Sequence, residues 1–269
     1  MNPSTAALYV EQHGDLAQRA RLRYIYSGQT PTADAVRLAL AGQRADGGWQ
    51  STWAPNYSAI DTTCYRLARA EQLGLGVADE PALMRALNFL AQRQQADGAW
   101  EEDPDQSSMA PEWALPGSRE ARMYLTANSG YWLARLAPAS MGSLRESAGR
   151  ASSYLQLYLS GRDRLPSFLQ ANWLAAGLWQ SLGRADLANR IYGFLESRVP
   201  ELPASSLAWL ISALSGAGLA PTHPLVAAAG ARLAQSQAGD GRWPSGDGPT
   251  HDTDTTLEAL YALKLLSLL

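Results

Sequence analysis

The sequence has little of what marks a disulfide-stabilised or nucleic-acid-binding protein. Cys64 is the only cysteine, so no intrachain disulfide can form, which suits a reducing compartment. Lys264 is the only lysine among 22 basic residues, and the net charge is −3. Because a nucleic-acid-binding domain needs a basic surface, we expect no nucleic-acid partner.

Long apolar runs are also missing. No stretch approaches the roughly 18 apolar residues that cross a bilayer, and residues 1–12 lack the basic start and apolar core of a signal peptide. The sequence therefore predicts a cytoplasmic protein without a transmembrane segment, and it leaves peripheral membrane contact and the oligomeric state open. With 46% hydrophobic and 17% charged residues, the chain has ample material for a core.

What the sequence does contain is an internal repeat. Three segments share the pattern Gln-x-x-x-Gly-x-Trp, at residues 43–49, 94–100 and 237–243. Each has Asp before its Gly, closes a helical stretch and leads through a polar loop into another helical stretch. Self-similarity at a period of about 40 residues predicts a helical repeat architecture.

Apolar periodicity and proline positions predict twelve helices in six hairpins, and no strand. The second helix of each hairpin is richer in small and aromatic residues, so we place it in an inner ring. The predicted fold is a single all-α domain, residues 1–269, an (α/α)6 barrel, with an open solenoid as the competing geometry. We expect the Pro-rich insert 101–118 to act as a lid over the barrel mouth. The predicted helices span 4–13, 15–27, 32–43, 59–74, 81–94, 119–137, 142–159, 167–181, 185–198, 204–217, 224–237 and 254–268.

The stretch Arg85–Trp100 resembles the QW motif of squalene and oxidosqualene cyclases, which protein prenyltransferase subunits carry in weaker form. As a repeat pattern the resemblance covers the whole chain. It implies an (α/α)6 toroid whose central cavity handles isoprenoid substrates. Bacterial squalene cyclases have two such barrels, whereas this chain has length for one. Since the Gly permits a sharp turn, the Gln reaches helix-end carbonyls and the Trp buries a large face, we interpret the motif as structural.

A candidate acid follows the third repeat. The segment Asp252-Thr253-Asp254-Thr255-Thr256 resembles the Asp-x-Asp-Asp motif of class II terpene cyclases, and more closely the Asp-x-Asp-Thr-Thr form associated with drimane-type products. The resemblance implies that Asp254 protonates an alkene or epoxide. A neighbouring carboxyl and hydrogen-bond donors can tune such an acid, so we assign Asp252 and His251 to that role.

A structural interpretation of the same segment competes with this one. Thr255-x-x-Glu258 has the form of a capping box, so Asp252 or Asp254 could be ordinary cap residues. The related segment Asp61-Thr62-Thr63 follows the first repeat at nearly the same spacing, which also favours scaffolding.

Aromatic side chains are predicted to line the substrate site, because ring faces stabilise carbocations. Two arginines after the insert, Arg119 and Arg122, are candidates for binding a diphosphate, or for pairing with the acidic loop. The predicted aromatic set is Tyr124, Tyr131, Trp132, Trp173, Trp179 and Trp209.

No resident cofactor is expected. Resemblance to prenyltransferases raises one zinc alternative, the set Asp61, Cys64 and His251, with an Asp-x-x-Cys spacing that departs from the family's Asp-x-Cys. The acidic loop 101–105 could hold a magnesium ion if the substrate is a diphosphate, but the sequence favours a solvated loop.

The sequence thus favours a class II terpene-cyclase-like enzyme that protonates and cyclises a linear isoprenoid, including prenyl diphosphates. Two alternatives stay open. One is a non-catalytic module for isoprenoid binding or protein interaction on the same scaffold. The other is a carbohydrate lyase or hydrolase with paired carboxylates.

Overall fold

The computed structural model describes residues 1–269 and contains the twelve predicted helices. Most bounds agree with the predicted ones, but α3 ends early, before a turn through Gly42 (φ 82°). None of these helices is long and apolar enough to cross a membrane. The helices are α1 Pro3–His13, α2 Leu16–Ser27, α3 Ala33–Ala39, α4 Ile60–Gln72, α5 Pro81–Gln92, α6 Arg119–Leu136, α7 Gly142–Leu159, α8 Leu169–Ser181, α9 Ala185–Arg198, α10 Ala204–Gly216, α11 Pro224–Gln235 and α12 Asp252–Leu265.

Two short strands precede α4, which the sequence pattern did not predict. Strand β1 (Trp49–Gln50) pairs antiparallel with β2 (Ser58–Ala59), with Trp49 opposite Ala59. Two-residue strands are too short for an apolar alternation to be recognised. The hairpin leads directly into the first turn of α4.

The chain divides into two compact units. Unit 1 comprises Met1–Ala39, Ala70–Gly74 and Leu195–Leu269, and unit 2 comprises Leu40–Arg69 and Leu75–Phe194. The assignment of residues 1–269 to one domain stays a prediction.

The core of unit 2 is built around α6, which packs against α7 and α8. Gly130 makes this approach feasible, since a Cβ there would lie 2.8 Å from Cβ of Ala151 and 2.9 Å from Cδ2 of Leu178. Both α6 and α8 are buried around most of their circumference, as expected for helices covered on several sides. In unit 1, α12 occupies the corresponding place, in contact with α1, α2 and α10.

Each Gln-Gly-Trp segment forms the same arrangement, which we term the clasp. The Gln Nε2 donates to the carbonyl of the Gly in its own segment and to a carbonyl at a neighbouring helix. The second carbonyl belongs to the N-terminal half of that neighbouring helix or to its N-cap, so the expectation that the Gln bonds carbonyls at the end of its own helix is wrong. The pairs are Gln43 with Gly47 O (2.9 Å) and Ala82 O (2.7 Å), Gln94 with Gly98 O and Ser147 O (both 2.9 Å), and Gln237 with Gly241 O (2.8 Å) and Asn2 O (2.9 Å).

The Trp of each clasp is held at two points. Its indole N–H donates to the carbonyl of a preceding Leu, and its backbone N–H donates to a Thr hydroxyl on the next long helix. All three indoles are buried. The acceptors are Leu40 O (3.2 Å) and Thr63 Oγ1 (3.1 Å) for Trp49, Leu90 O (2.7 Å) and Thr126 Oγ1 (3.0 Å) for Trp100, and Leu233 O (2.8 Å) and Thr256 Oγ1 (3.0 Å) for Trp243.

The first Gly of each clasp is required for two reasons. Gly47, Gly98 and Gly241 have φ of 90°, 90° and 96°, a region that side chains disfavour. A Cβ at Gly241 would also lie 2.4 Å from the backbone carbon of Thr5, and one at Gly98 would lie 2.7 Å from the Arg150 carbonyl oxygen. The clasp therefore brings two backbone segments closer than any other residue allows.

Candidate active site

The clasps fix one further side-chain position on three helices. Two residues before each clasp Thr stand Asp61 on α4, Tyr124 on α6 and Asp254 on α12. Since residues i and i+2 of a helix point to different sides, these three side chains are directed away from the clasp. The repeat thus presents a chemically reactive side chain at an equivalent place three times.

In unit 2, Asp61 and Tyr124 contact each other. The Tyr124 hydroxyl donates to Oδ1 of Asp61 at 2.6 Å, and Asn128 Nδ2 donates to the Tyr124 oxygen at 3.4 Å. The Trp113 indole, on the insert, also lowers the pKa of Asp61. Asp61 therefore has a phenol from α6 as its hydrogen-bond donor and an indole from the insert as a polar neighbour.

Burial raises the pKa of Asp61, while the hydrogen bond from Tyr124 and the nearby Trp113 indole lower it without cancelling the rise. Burial and the Asp61 charge raise the pKa of Tyr124 well above its ordinary value, so the phenol stays a neutral donor. The Asp61 side chain is only half-buried. The Asp61 carboxyl therefore has a raised pKa and is still partly exposed.

A second acidic side chain, Glu102, lies against the same turn. Its Oε2 accepts from the backbone N–H of Ile60 and its Oε1 from the N–H of Asp61, both at 3.1 Å. Glu102 is 2% exposed. Burial raises its pKa to about 7, the two backbone N–H groups lower it, the Asp61 charge raises it, and Arg93 lowers it. Sequence reasoning missed Glu102 because it assigned the whole acidic loop to solvent.

The zinc alternative is wrong. No group of three or more His, Cys, Asp or Glu residues in the chain is arranged to hold a metal ion. Cys64 is buried, and burial raises the pKa of its thiol well above the ordinary value, which disfavours the thiolate that zinc binds. Asp61 is engaged with Tyr124, and His251 is exposed.

Asp254, the acid expected from the sequence, lies in the first turn of α12 in unit 1. Its Oδ1 contacts Arg21 Nη1 at 2.7 Å, and its side chain is 24% exposed. The Arg21 guanidinium is buried and also donates to Gln72. A buried guanidinium stabilises the charged carboxylate, which is the opposite of what a proton donor requires.

The two expected tuners of Asp254 have separate surroundings. Asp252 is 3% exposed, accepts from Ser245 N–H at 2.7 Å and pairs with Arg242 at 3.3 Å, so it holds the loop after Trp243. His251 is exposed. The capping-box interpretation is wrong, because α12 begins at Asp252 and places Thr255 inside the helix, with no side-chain cap.

The predicted aromatic set is mostly interior. Trp173 and Trp179 are both 0% exposed, so they offer no surface to a ligand in this conformation. Tyr131 packs edge-on against Trp132, with ring centroids 5.1 Å apart, and both are buried. Trp209 on α10 keeps some exposed surface. Substrate lining by these side chains stays a prediction, except that Tyr124 is in direct contact with Asp61.

The predicted diphosphate arginines differ in their contacts. Arg122 pairs with Asp97 at 2.9 Å and with Glu101 at 3.8 Å, as the alternative interpretation expected. Arg119 is exposed, with Glu120 at 3.8 Å. In the acidic loop, Asp103 accepts from the backbone N–H of Asp105. These carboxylates are engaged in caps and ion pairs and form no convergent set of magnesium ligands.

The insert 101–118 is anchored along its length. Trp53 Nε1 donates to Gln106 Oε1 at 3.2 Å, and the Tyr57 hydroxyl donates to Asp105 at 3.3 Å. Together with the contacts of Glu102 and Trp113, these bonds hold the insert against the β1–β2 hairpin and the start of α4. Trp113 nevertheless keeps 46% of its surface exposed. A lid role for this segment stays a prediction.

Comparison with known proteins identifies the family. A family model described as the squalene-hopene cyclase C-terminal domain matches residues 16–157, more than half of the chain. The chain therefore belongs to this family of (α/α)6-toroid terpene-cyclase-like proteins, which confirms the predicted fold class. The matched segment contains Asp61, Glu102 and Tyr124 and ends well before Asp254.

Solved structures show the same fold. A crystal structure of a protein from Actinoplanes is 18% identical, covers 94% of this chain and 90% of its own chain, and gives a TM-score of 0.56. At this identity the likeness concerns the fold alone. No curated protein matches the sequence.

Proposed function

We propose that this protein is a class II terpene-cyclase-like enzyme that protonates and cyclises a linear isoprenoid, including prenyl diphosphates, with Asp61 as the general acid. One observation carries the proposal. Within the segment that the family model matches, Asp61 is a half-buried carboxyl whose pKa burial raises, and a phenol on the neighbouring repeat donates to it. Protonating a carbon–carbon double bond requires a carboxyl that is held protonated with its conjugate base stabilised.

The reaction balances without an external reagent. Asp61 gives its proton to one alkene carbon, the π electrons form the new C–H bond, and a carbocation is left at the other carbon. Further π bonds of the chain attack this cation and form ring C–C bonds. Loss of a proton from the last cation restores the proton count, so the product is an isomer of the substrate. The step needs no redox cofactor, and a diphosphate substrate would bring its own Mg²⁺.

Each residue around Asp61 has a different role in proton donation. Burial favours the protonated form of the Asp61 carboxyl. The hydrogen bond from Tyr124 and the nearby Trp113 indole stabilise the carboxylate that forms on proton transfer, so they make Asp61 a better donor. The Asn128 amide, which donates to Tyr124, orients the phenol toward Asp61. The exposed ring of Trp113 supplies an aromatic face beside the donor.

Asp254 is the second candidate for the acid. The Asp-x-Asp-Thr-Thr resemblance favours it, and it occupies the position equivalent to Asp61 in the last repeat. Its contact with Arg21 weighs against it, because proton transfer from Asp254 would require the ion pair to separate first.

The experiment incubates purified protein in D₂O with farnesyl- and geranylgeranyl-type alcohols, their diphosphates and squalene. Products are analysed by mass spectrometry and NMR. We expect cyclised products with one deuterium at the protonated carbon. Asp61→Asn should abolish them, whereas Asp254→Asn and the exposed control Asp186→Asn should retain them, each variant being checked by circular dichroism.

Two results would contradict the proposal. If the folded wild-type protein cyclises none of these substrates, the non-catalytic alternative is favoured. If Asp61→Asn is as active as wild type while Asp254→Asn is inactive, the acid is Asp254.

A further inference from the structure

The first turn of α4 is capped from an unusual direction. A helix N-terminus is ordinarily capped by the residue that directly precedes it. Here the preceding residues, Ser58 and Ala59, form β2, and the cap comes from Glu102, which lies 41 residues after Asp61 in the chain. Both Glu102 oxygens are used, one on Ile60 N–H and one on Asp61 N–H.

The other two equivalent helices are not capped in this way. The equivalent helix α6 begins after Ser118, whose own hydroxyl accepts from Ala121 N–H. Helix α12 begins after His251 with no side-chain cap. Of the three equivalent helices, the one that carries Asp61 is therefore the one whose first turn is capped by a side chain from a distant part of the chain.

Few charged groups face Glu102. Asp61 lies on the turn that it caps, the buried Cys64 thiol lies on the same helix, and Arg93 approaches from the end of α5. Arg93 is shared with two other carboxylates, Asp46 at 3.8 Å and Asp103 at 4.0 Å. The cation is therefore divided among several acids, whereas Asp61 is a like-charged neighbour on the turn that Glu102 caps.

We propose that Glu102 is the positioning residue of Asp61, which it holds by binding the backbone of the turn that presents it, and that the two carboxyls titrate as one pair. This inference rests on the proposed function for its catalytic meaning, since a positioned acid matters only if Asp61 donates a proton. The geometric and electrostatic parts stand without turnover. Because both carboxyls sit at one helix N-terminus, ionisation of either one makes ionisation of the other less favourable.

The first experiment needs no substrate. The carboxyl ¹³C shift of Glu102, assigned by its loss in Glu102→Gln, is followed against pH in the wild type and in Asp61→Asn. The Asp61→Asn variant keeps the two backbone N–H groups that bind Glu102. We expect a wild-type midpoint near 7, which burial chiefly sets, and a lower midpoint in Asp61→Asn, because the like charge is gone. The exposed variant Glu112→Gln serves as control and should leave the midpoint unchanged.

The second experiment tests positioning. Amide hydrogen exchange at Ile60 and Asp61 should be faster in Glu102→Gln than in wild type, while amides in the middle of α4 should be unchanged. If turnover is found, Glu102→Gln should lower kcat and move the pH at which activity falls toward acid, with KM little changed.

The outcomes separate the two proposals. An identical Glu102 midpoint in the wild type and Asp61→Asn overturns the pairing, and unchanged exchange at both amides overturns the positioning role. If the Glu102 midpoint falls in Asp61→Asn and amide exchange speeds up in Glu102→Gln, the pairing and the positioning role are confirmed. If no isoprenoid is then turned over, the proposed function alone is wrong.

Discussion

The hydroxyl of Thr256 accepts the backbone N–H of Trp243 at 3.0 Å, and this bond recurs between Thr63 and Trp49 and between Thr126 and Trp100. In each case the hydrogen bond is buried. Substitution of Thr256 by Val keeps the volume and removes the acceptor. We expect a loss of about 1–3 kcal/mol in the free energy of unfolding, because a buried N–H is left unpaired.

Urea unfolding measures this loss, and Thr256→Ser, which keeps the hydroxyl, is the matched control. The serine variant should lose less than the valine variant. Equal losses would mean that the methyl group, and not the hydrogen bond, is what stabilises the clasp.

The glycines at 239 and 241 offer a comparison within a single loop. Gly241 has φ 96°, and a Cβ there would strike the backbone of Thr5, whereas a Cβ at Gly239 meets nothing within 4 Å. We expect Gly241→Ala to cost more than about 2 kcal/mol, since left-handed strain and the clash add, while Gly239→Ala is nearly neutral. Thermal unfolding of both variants decides this, and similar melting temperatures would contradict the close approach.

The Tyr124 hydroxyl is expected to matter for chemistry more than for stability. Tyr124→Phe removes the donor to Asp61, so the conjugate carboxylate loses a stabilising contact. We expect the cyclisation rate to fall by about 10–100-fold, and the ¹³C titration of Asp61 to move to higher pH. Tyr9→Phe in unit 1 is the control. A full rate in Tyr124→Phe would remove the phenol from the mechanism.

Glu102 gives the protein a distinctive pH dependence of stability. Its pKa is about 7 in the fold against an ordinary 4.5, so between these pH values the folded state holds a proton that the unfolded state has released. The Glu102 contribution is therefore most favourable below pH 4.5, decreases as the pH rises to about 7, and is constant above that. The change amounts to at most about 3 kcal/mol.

Denaturant unfolding of the wild type and Glu102→Gln across pH 4.5 to 8 measures the effect. We expect the stability difference between the two proteins to shift in favour of the variant as pH rises, and then to level off. A difference that is constant with pH would show that Glu102 ionises normally in the fold.

The sequence predicted the helices and the clasps because both depend on local patterns. Apolar periodicity, prolines and the Gln-x-x-x-Gly-x-Trp spacing lie within a few residues of the structure that they specify. Only two of the three Thr acceptors could be recognised from their spacing in the sequence. Thr63 and Thr256 follow their Trp at similar spacings, but the insert places Thr126 much further from Trp100 and hides the third copy.

The candidate site was less predictable because its contacts join distant parts of the chain. Asp61 and Tyr124 are 63 residues apart, and Arg21 and Asp254 are 233 apart. A five-residue resemblance therefore drew attention to Asp254 without showing the arginine beside it. Asp61 was noticed as its repeat equivalent, but the sequence alone could not show that a phenol and a buried glutamate meet it there. The acidic loop 101–105 looked like a solvated run, since nothing local distinguishes Glu102 from Glu101.

Most bonds of the clasp end on main-chain atoms, and the reactive side chains two residues before the clasp Thr take no part in it. The clasp and the reactive side chains are thus specified by different residues of the sequence. One copy carries Asp61, another Tyr124 and a third Asp254, with the same local backbone beneath each. Single substitutions at these three positions can therefore introduce new chemistry. A designer would keep every Gln, Gly, Trp and Thr of the clasps unchanged.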